Sequence, residues 1–308
     1  VYEEELRIRG DEAVGTFGGR VYDGVAGAPV HDARVLIYRR GEDGSRVPWS
    51  QNDAHEGGAF RGRLEAGAYS ARTFTRGAGA GASVDFDVRA GEHTALNLSL
   101  TPPGRIVVHV VDRGGARLPA AAIAVGTYGA EHAGAEPRSF LFDLAAGESF
   151  RVTDFVPDTD DVSTRRYIET SDFTDHGVAE LFVRPGTYEV WATRGPEYDV
   201  RTEQVTVGAG QTATVGMTLT RVVDTTGWIA FDTHVHTINS LDASYPVEDR
   251  VRSLAATGVE WAIATDHNYV TDYERAIAAA DLSRWLRGTV GLELTTLESG
   301  HFNGYPLR

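Results

Sequence analysis

"LEAGAYSAR" at Leu64–Arg72 and "VRPGTYEVW" at Val183–Trp191 are one pattern written twice: an aliphatic residue, a glycine turn, and a tyrosine two residues beyond the glycine. A second pair, "VRAGEHTALNLSL" from Val88 and "VGAGQTATVGMTL" from Val207, extends the match. Tyr69 aligns with Tyr188 and Gly91 with Gly210 at one constant offset, so no gap separates the matching stretches. Within each copy apolar residues alternate: Val84, Phe86 and Val88, then Leu96, Leu98 and Leu100; Val205 and Val207, then Val215, Met217 and Leu219. Period-two alternation between glycine turns predicts half-buried antiparallel strands, and their number predicts a β-sandwich in each copy.

The entry segments "GGRVYDGVAGAPVHDARVLIY" and "GRIVVHVVDRGGARLPAAAIAV" are also alike, at a different offset. After an N-terminal segment at 1–14, one sandwich is expected at about 15–101 and another at about 104–221. The second is expected to carry a polar, acidic insertion near 131–175. G-x-V-x-D, small-Pro-Val, P-G-x-Y and a last strand after A-G resemble the carboxypeptidase regulatory-like β-sandwich. That resemblance implies structural or contact-making modules.

Composition narrows the chemistry. The 308 residues suffice for two or three domains, and 42% hydrophobic with 24% charged residues describes an ordinary globular chain. A net charge of -15 opposes binding to nucleic acid or anionic membrane. There is no cysteine, which removes disulfides, thiolate metal sites and cysteine nucleophiles. There is no lysine either, since all 29 basic residues are arginine, which removes Schiff bases, a phosphate-loop lysine and a carbamylated-lysine bridge. No G-x-S-x-G elbow occurs. Histidine, carboxylate and tyrosine chemistry remains. No apolar stretch is long enough to span a bilayer; the longest, Leu118 to Ala130, is short and glycine-rich. The start at Val1 suggests a processed or incomplete N-terminus, and of the compartments an extracytoplasmic one is expected.

Beyond "TRVVDTTGW" the period changes. "IAFDTHVH" reads as a strand, and "PVEDRVRSLAATG" as a helix with Pro246 near its start and Gly258 ending it. "VEWAIATDHN" reads as a buried strand, "DYERAIAAADLSRWL" as a helix capped by Asp272, and "TVGLELTT" as a third strand. Strand and helix in alternation predict a parallel α/β unit.

Four of the ten histidines, His234, His236, His267 and His301, fall at or just beyond ends of those strands, where loops of a parallel unit converge. His-x-His on a strand puts both rings on one side, with Cβ atoms about 6–7 Å apart. That spacing suits one divalent ion, and a solvated strand end equally well. Asp242 in the following loop can fold back toward a metal or cap its own loop. His267 sits beside Asp266 in "ATDHN". Glu293, flanked by Leu292 and Leu294, needs a metal or a cation such as Arg284 or Arg287 to offset burial. The remaining histidines have no ligand-like spacing, and "DTDD" at 158–161 lacks the features of an EF-hand loop.

D-x-H-x-H-T with a following Asp, then T-D-H, G-x-E and G-H-F-N, resemble the first motifs of the PHP (polymerase and histidinol phosphatase) metallohydrolases. The closest branch is the one named for carbaryl hydrolase. The resemblance spans about residues 183–308 and implies the first part of a distorted (β/α)7 barrel at 228–308, cut short at Arg308. It implies two or three divalent ions, Zn, Mn or Fe, held by His234, His236, Asp242, His267, Glu293 and His301. Glu293 and Asp266 would be catalytic, with Asp232 and Asn303 outside the ligand shell or facing substrate. A metal-bound hydroxide would then attack a small ester, carbamate or phosphoester. The alternative is a non-catalytic β-sandwich scaffold or adhesion protein, touching protein or glycan through its sandwiches.

Overall fold

The computed structural model describes residues 13–75, 81–127, 166–296 and 298–307. The first eight strands are β1 (Val14–Asp23), β2 (Arg34–Arg40), β3 (Arg46–Asp53), β4 (Ala59–Glu65), β5 (Gly67–Phe74), β6 (Val84–Val88), β7 (His93–Ala95) and β8 (Leu98–Leu100). They form two sheets. One runs β4-β1-β7 with β8 also on β1, and the other runs β3-β2-β5-β6. Phe17, Val35, Ile37, Tyr69, Phe86 and Leu98 meet between them. Alternation explains the burial: Phe86 and Val88 are buried while Asp85 and Asp87 between and beside them face out, where Arg40 pairs with both.

The next seven strands repeat this plan. They are β9 (Gly104–Asp112), β10 (Ala120–Thr127), β11 (Arg166–Thr174), β12 (Val178–Val183), β13 (Gly186–Thr193), β14 (Arg201–Val207) and β15 (Thr212–Leu219). Their sheets run β12-β9-β15 and β11-β10-β13-β14, the same connectivity strand for strand. In each copy the last strand pairs in parallel with the first, β8 with β1 and β15 with β9. The repeated tyrosine does the same job twice. Its ring is buried in each core, and its hydroxyl donates to the carbonyl four residues earlier, Tyr69 to Glu65 at 3.0 Å and Tyr188 to Arg184 at 2.7 Å. The parallel pairing of last strand with first differs from the antiparallel strands expected from the sequence, and the insertion differs as well. Residues 166–174, placed in the insertion, form edge strand β11, because Phe173 and its neighbours pair with β10. Residues 131–165 of that insertion, with the "DTDD" run, and most of the 1–14 segment lie outside the described residues.

The terminal module comprises β16 (Phe231–Val235), α1 (Val247–Ala256), β17 (Trp261–Ala264), α2 (Glu274–Ala279), β18 (Arg287–Thr289), β19 (Leu292–Thr296) and β20 (Gly300–Gly304). β16, β17 and β18 form a parallel sheet in that order. Val235, Ala262 and Ala264 share a core with Val251 and Leu254 of α1 and Ile277 of α2. α1 ends where Gly258 takes φ +85°, as its sequence implies. α2 is shorter than expected. Asp281 enters the left-handed region at φ 55°, so the helix stops at Ala279 although the apolar pattern runs on to Leu286. The N-cap position is held by Tyr273, without a side-chain bond, rather than by Asp272, which sits one residue earlier and accepts the Glu274 amide at 2.9 Å.

The expectation of a distorted (β/α)7 barrel is corrected by this topology. Among the described residues the parallel sheet stops at three strands. The next segment turns out of it, and β19 pairs antiparallel with β20 as a hairpin. The described residues are predominantly sheet, with two sandwiches, a small parallel unit and two short helices among them.

Sandwich two and the terminal module are in direct contact. α1 lies against β11, and Trp285 packs on both cores. Arg252 of α1 pairs with Asp175 at 3.3 Å and with Asp249 at 2.8 Å. Arg194, in the turn after β13, is only 4% exposed. It donates from Nη1 to the carbonyls of Pro119, at 2.8 Å, and Ala255, at 2.7 Å. Its guanidinium lies 4.2 Å above the Trp285 ring.

Candidate metal centre

β16 delivers His234 and, just past its end, His236. Alternation places them on the side opposite Val235, which faces the helices. The ring centroids are 4.8 Å apart. The chain then turns through Thr237 to Asp242. There the Ser240 hydroxyl donates to Asp242 Oδ1 at 2.8 Å and accepts the His267 amide at 3.1 Å. His267 follows β17, and its ring lies 4.7 Å from that of His236. Backbone bonds from Glu293 to the Asp266 carbonyl (3.0 Å) and from Asn268 to the Glu293 carbonyl (2.8 Å) zip β19 onto this loop. They bring Glu293 under the rings. Across the hairpin, His301 and Asn303 fall on the same face as Glu293, because they pair with Thr295 and Glu293 itself.

The result is one carboxylate at the centre of four imidazoles. Glu293 Oε2 is 2.8 Å from His234 Nε2, 3.0 Å from His236 Nε2 and 3.7 Å from His267 Nδ1. Glu293 Oε1 is 2.6 Å from His301 Nδ1. Asp242 reaches the other side, 2.9 Å from His236 Nδ1 and 3.3 Å from His267 Nε2. Three overlapping groups have ligand atoms within 4.8 Å of one another: His234, His236 and Glu293; His236, Asp242 and His267; His267, Glu293 and His301. His236, His267 and Glu293 each belong to two. All six line one open cavity of about 540 Å³, with Asp232 and Arg250 on its wall.

Electrostatics set what this cluster can do. Glu293 is 2% exposed, and burial pushes its carboxyl up, but His234, His267 and His301 outweigh that and hold it below the ordinary value. Hydrogen bonds from His236 and Ser240 hold Asp242 far below the usual carboxylate range. His236 carries the sharpest conflict. A neutral imidazole has one N–H and one lone pair, yet both ring nitrogens lie about a hydrogen-bond length from carboxylate oxygens. Nε2 is buried and makes no hydrogen bond. One side must therefore set lone pair against lone pair, unless a second proton or a cation sits between. Protonating all four clustered rings would oppose four positive charges at short range. Divalent ions remove both conflicts, and a donor set of imidazole nitrogens with carboxylate oxygens suits Zn, Mn or Fe(II).

The remaining expected residues lie elsewhere in the network. Asp266 is fully buried with its carboxylate turned into the fold, accepting from the Thr237 amide, from Thr237 Oγ1 at 2.7 Å and from Thr271 Oγ1. It joins none of the three ligand groups. Asp232 accepts the His234 amide at 3.1 Å and so fixes the start of the His-x-His turn. Neither Arg284 nor Arg287 pairs with Glu293 among the described residues; Arg284 stacks on Trp285 instead. Sequence reasoning missed Ser240, Thr295 and Arg250. Thr295 bonds His267 Nδ1 and, two residues from Glu293, shares its strand face. Arg250 donates from Nε to the His236 carbonyl at 2.9 Å. A polar residue at strand spacing from Glu293 was a usable signal for Thr295; nothing in the sequence marks the other two. Among the described residues, no other histidine joins a candidate metal group.

No protein-family model and no curated protein matches the chain. Solved structures similar to it include the Bacillus anthracis TIE protein, 14% identical over 68% of this chain and 34% of that one, with TM-score 0.25. A streptococcal ancillary pilin is 12% identical over 70% and 64%, with TM-score 0.33. Shaft pilin SpaA from Lactobacillus rhamnosus GG is 10% identical over 69% and 98%, with TM-score 0.38. The chain thus spans about a third of the first structure's length and just under two thirds of the second's. These scores are too low to assign a shared fold. The PHP and carbaryl-hydrolase resemblance is corrected here. It implied a barrel that the described residues do not build, and no family model supports it. The hydrolase activity and the ester or phosphoester substrate rested on that resemblance and go with it.

Proposed function

We propose that the chain is a non-catalytic β-sandwich scaffold whose terminal module binds two or three divalent cations, Zn, Mn or Fe(II). One observation carries the metal reading: Glu293 is buried at the centre of four histidines, with His236 Nε2 lacking any hydrogen-bond partner. Of the six candidate ligands, Glu293 would bridge, His234, His236 and His301 would surround it, and Asp242 with His267 would hold the far side. Bound ions would cross-link β16, the 237–242 loop, the end of β17 and the β19–β20 hairpin, a stabilising role open to a small module. The tandem sandwiches support the scaffold reading. They repeat one topology and hold the module through Arg194, Trp285 and the α1 contact. Protein or glycan contact through their faces, outside the cytoplasm, fits this organisation, and no helix among the described residues is long and apolar enough to cross a membrane.

Zinc and manganese titrations followed by calorimetry, with a turnover assay on p-nitrophenyl acetate and p-nitrophenyl phosphate, test the proposal. It expects two or more ions bound per chain and no turnover above that of free metal. Saturable turnover lost in His234→Ala would contradict the non-catalytic reading; no heat of binding would contradict the metal reading.

A further inference from the structure

We infer that Arg194 is a positioning residue for the metal cluster: through α1, sandwich two sets where the His236 arm lies. The inference rests in part on the metal reading above, but its geometry stands without it. A buried arginine ordinarily has a carboxylate partner. Arg194 is 4% exposed, and desolvation lowers its pKa. Among the described residues it forms no ion pair; it donates to two backbone carbonyls and lies over two aromatic faces, Trp285 and Tyr198, while Glu197 and Glu260 act on it from beyond ion-pair distance. One carbonyl, Pro119, enters β10 of sandwich two. The other, Ala255, belongs to the last turn of α1 and also accepts the Gly258 amide at 3.3 Å, so the arginine adds a second donor to this helix end.

The neighbouring backbone is equally constrained. Gly195 takes φ +76°, and a Cβ there would stand 2.0 Å from the Thr257 carbonyl oxygen. Gly258 takes φ +85°, with its missing Cβ 2.9 Å from the Arg194 carbonyl oxygen. Backbone meets backbone at this joint, so α1 has little freedom to slide against the sandwich. From α1 the constraint passes to the cluster. Arg250 donates to the His236 carbonyl, and Val251 and Leu254 share a core with Val235. The His236 amide plane and the loop after it are thus fixed by a helix that is itself fixed by the sandwich. His236 lies in two of the three ligand groups, so a small rotation there disturbs both.

Amide hydrogen exchange on the metal-free full chain tests this. In Arg194→Met, which keeps the apolar stem and loses the donors, the hydrogen-bonded amides of Ile238 and Ser240 should exchange roughly tenfold faster, while β9, β12 and β15 keep their protection. Arg250→Met, at a partly exposed position, should speed the same loop without touching α1's last turn, and covers the case that Arg194→Met does not fold. Cobalt(II) titration then reads the cluster itself. Both Met variants should weaken cobalt binding and shift its visible spectrum, and Arg194→Lys should recover part of the loss. Loop amides unchanged in both Met variants, or a response of Arg194→Met confined to α1's last turn, overturns the inference. Failure of the wild type to take up cobalt overturns the metal reading instead, and hydrogen exchange still decides the role of Arg194.

Discussion

The sandwiches and the terminal module bury their apolar residues differently. Each sandwich sets two sheets face to face, and Phe17, Tyr69, Ile106 and Leu181 are at most 1% exposed. The terminal parallel sheet shares its core with helices, while its histidine-bearing face turns to the cavity. Leu241 is fully exposed, Trp228 is 81% and Phe231 64% exposed, and Leu294 and Phe302 pair across the hairpin on the face away from Glu293. The sandwiches are thus closed by hydrophobic burial. The terminal module has a hydrophobic core of its own around Val251, Tyr273 and Ile277, and beside it a buried polar cluster that the described residues of the sandwiches lack. A module built that way gains more from bound cations than the sandwiches can.

Four substitutions sharpen that contrast. Glu293→Ala removes a member of two ligand groups, and cation affinity should fall by a hundredfold or so at least, since even residues that only orient ligands are worth about 10–100-fold; calorimetry reads it, and unchanged affinity breaks the proposal. Asp266→Ala strands three buried donors. It should destabilise the terminal module by about 3 kcal/mol, read as a shift in urea unfolding. Tyr69→Phe and Tyr188→Phe each delete one hydrogen bond at equivalent places and should each cost about 1 kcal/mol. A large inequality between them would show that the two sandwiches are not energetic equivalents.

The smallest effect concerns the seam between the regions. Burial pushes the Asp175 carboxyl up, but His176 and Arg252 together hold it below its ordinary value. A folded pKa below the unfolded one means that its contribution is present above the carboxylate range, about 3.9, and is lost as pH falls through the folded value. Acidification from pH 6 to 3 should therefore loosen α1 from sandwich two, seen in Trp285 fluorescence. Asp175→Asn should flatten that pH dependence.

Much of this was legible in the sequence. Alternating residues such as Val84, Phe86 and Val88 gave strand faces directly, and the constant spacing of Tyr69 with Tyr188 carried over to a shared topology. The four terminal histidines, Asp242 and Glu293 could be singled out because strand ends in a parallel unit converge. What could not be read was tertiary. A break at Val290–Gly291 divides "TVGLELTT", which looks like one strand, so that Glu293 keeps only a single parallel bridge, to His267, and its strand pairs along its length in a hairpin. Asp266 looks like its histidine neighbour's companion, yet two threonines far apart in sequence absorb its carboxylate. Arg194 carries no local sign of burial, because its partners are a proline carbonyl and a helix end. α2 stops at Asp281 through a backbone angle that the helical pattern does not encode.

Elemental analysis of the purified full chain after dialysis against metal-free buffer, for wild type and Glu293→Ala side by side, tests the central claim most directly. Two or more divalent ions per wild-type chain, with fewer than one in the variant, is the predicted result. A wild-type chain free of metal, even after loading with zinc and manganese, would contradict it.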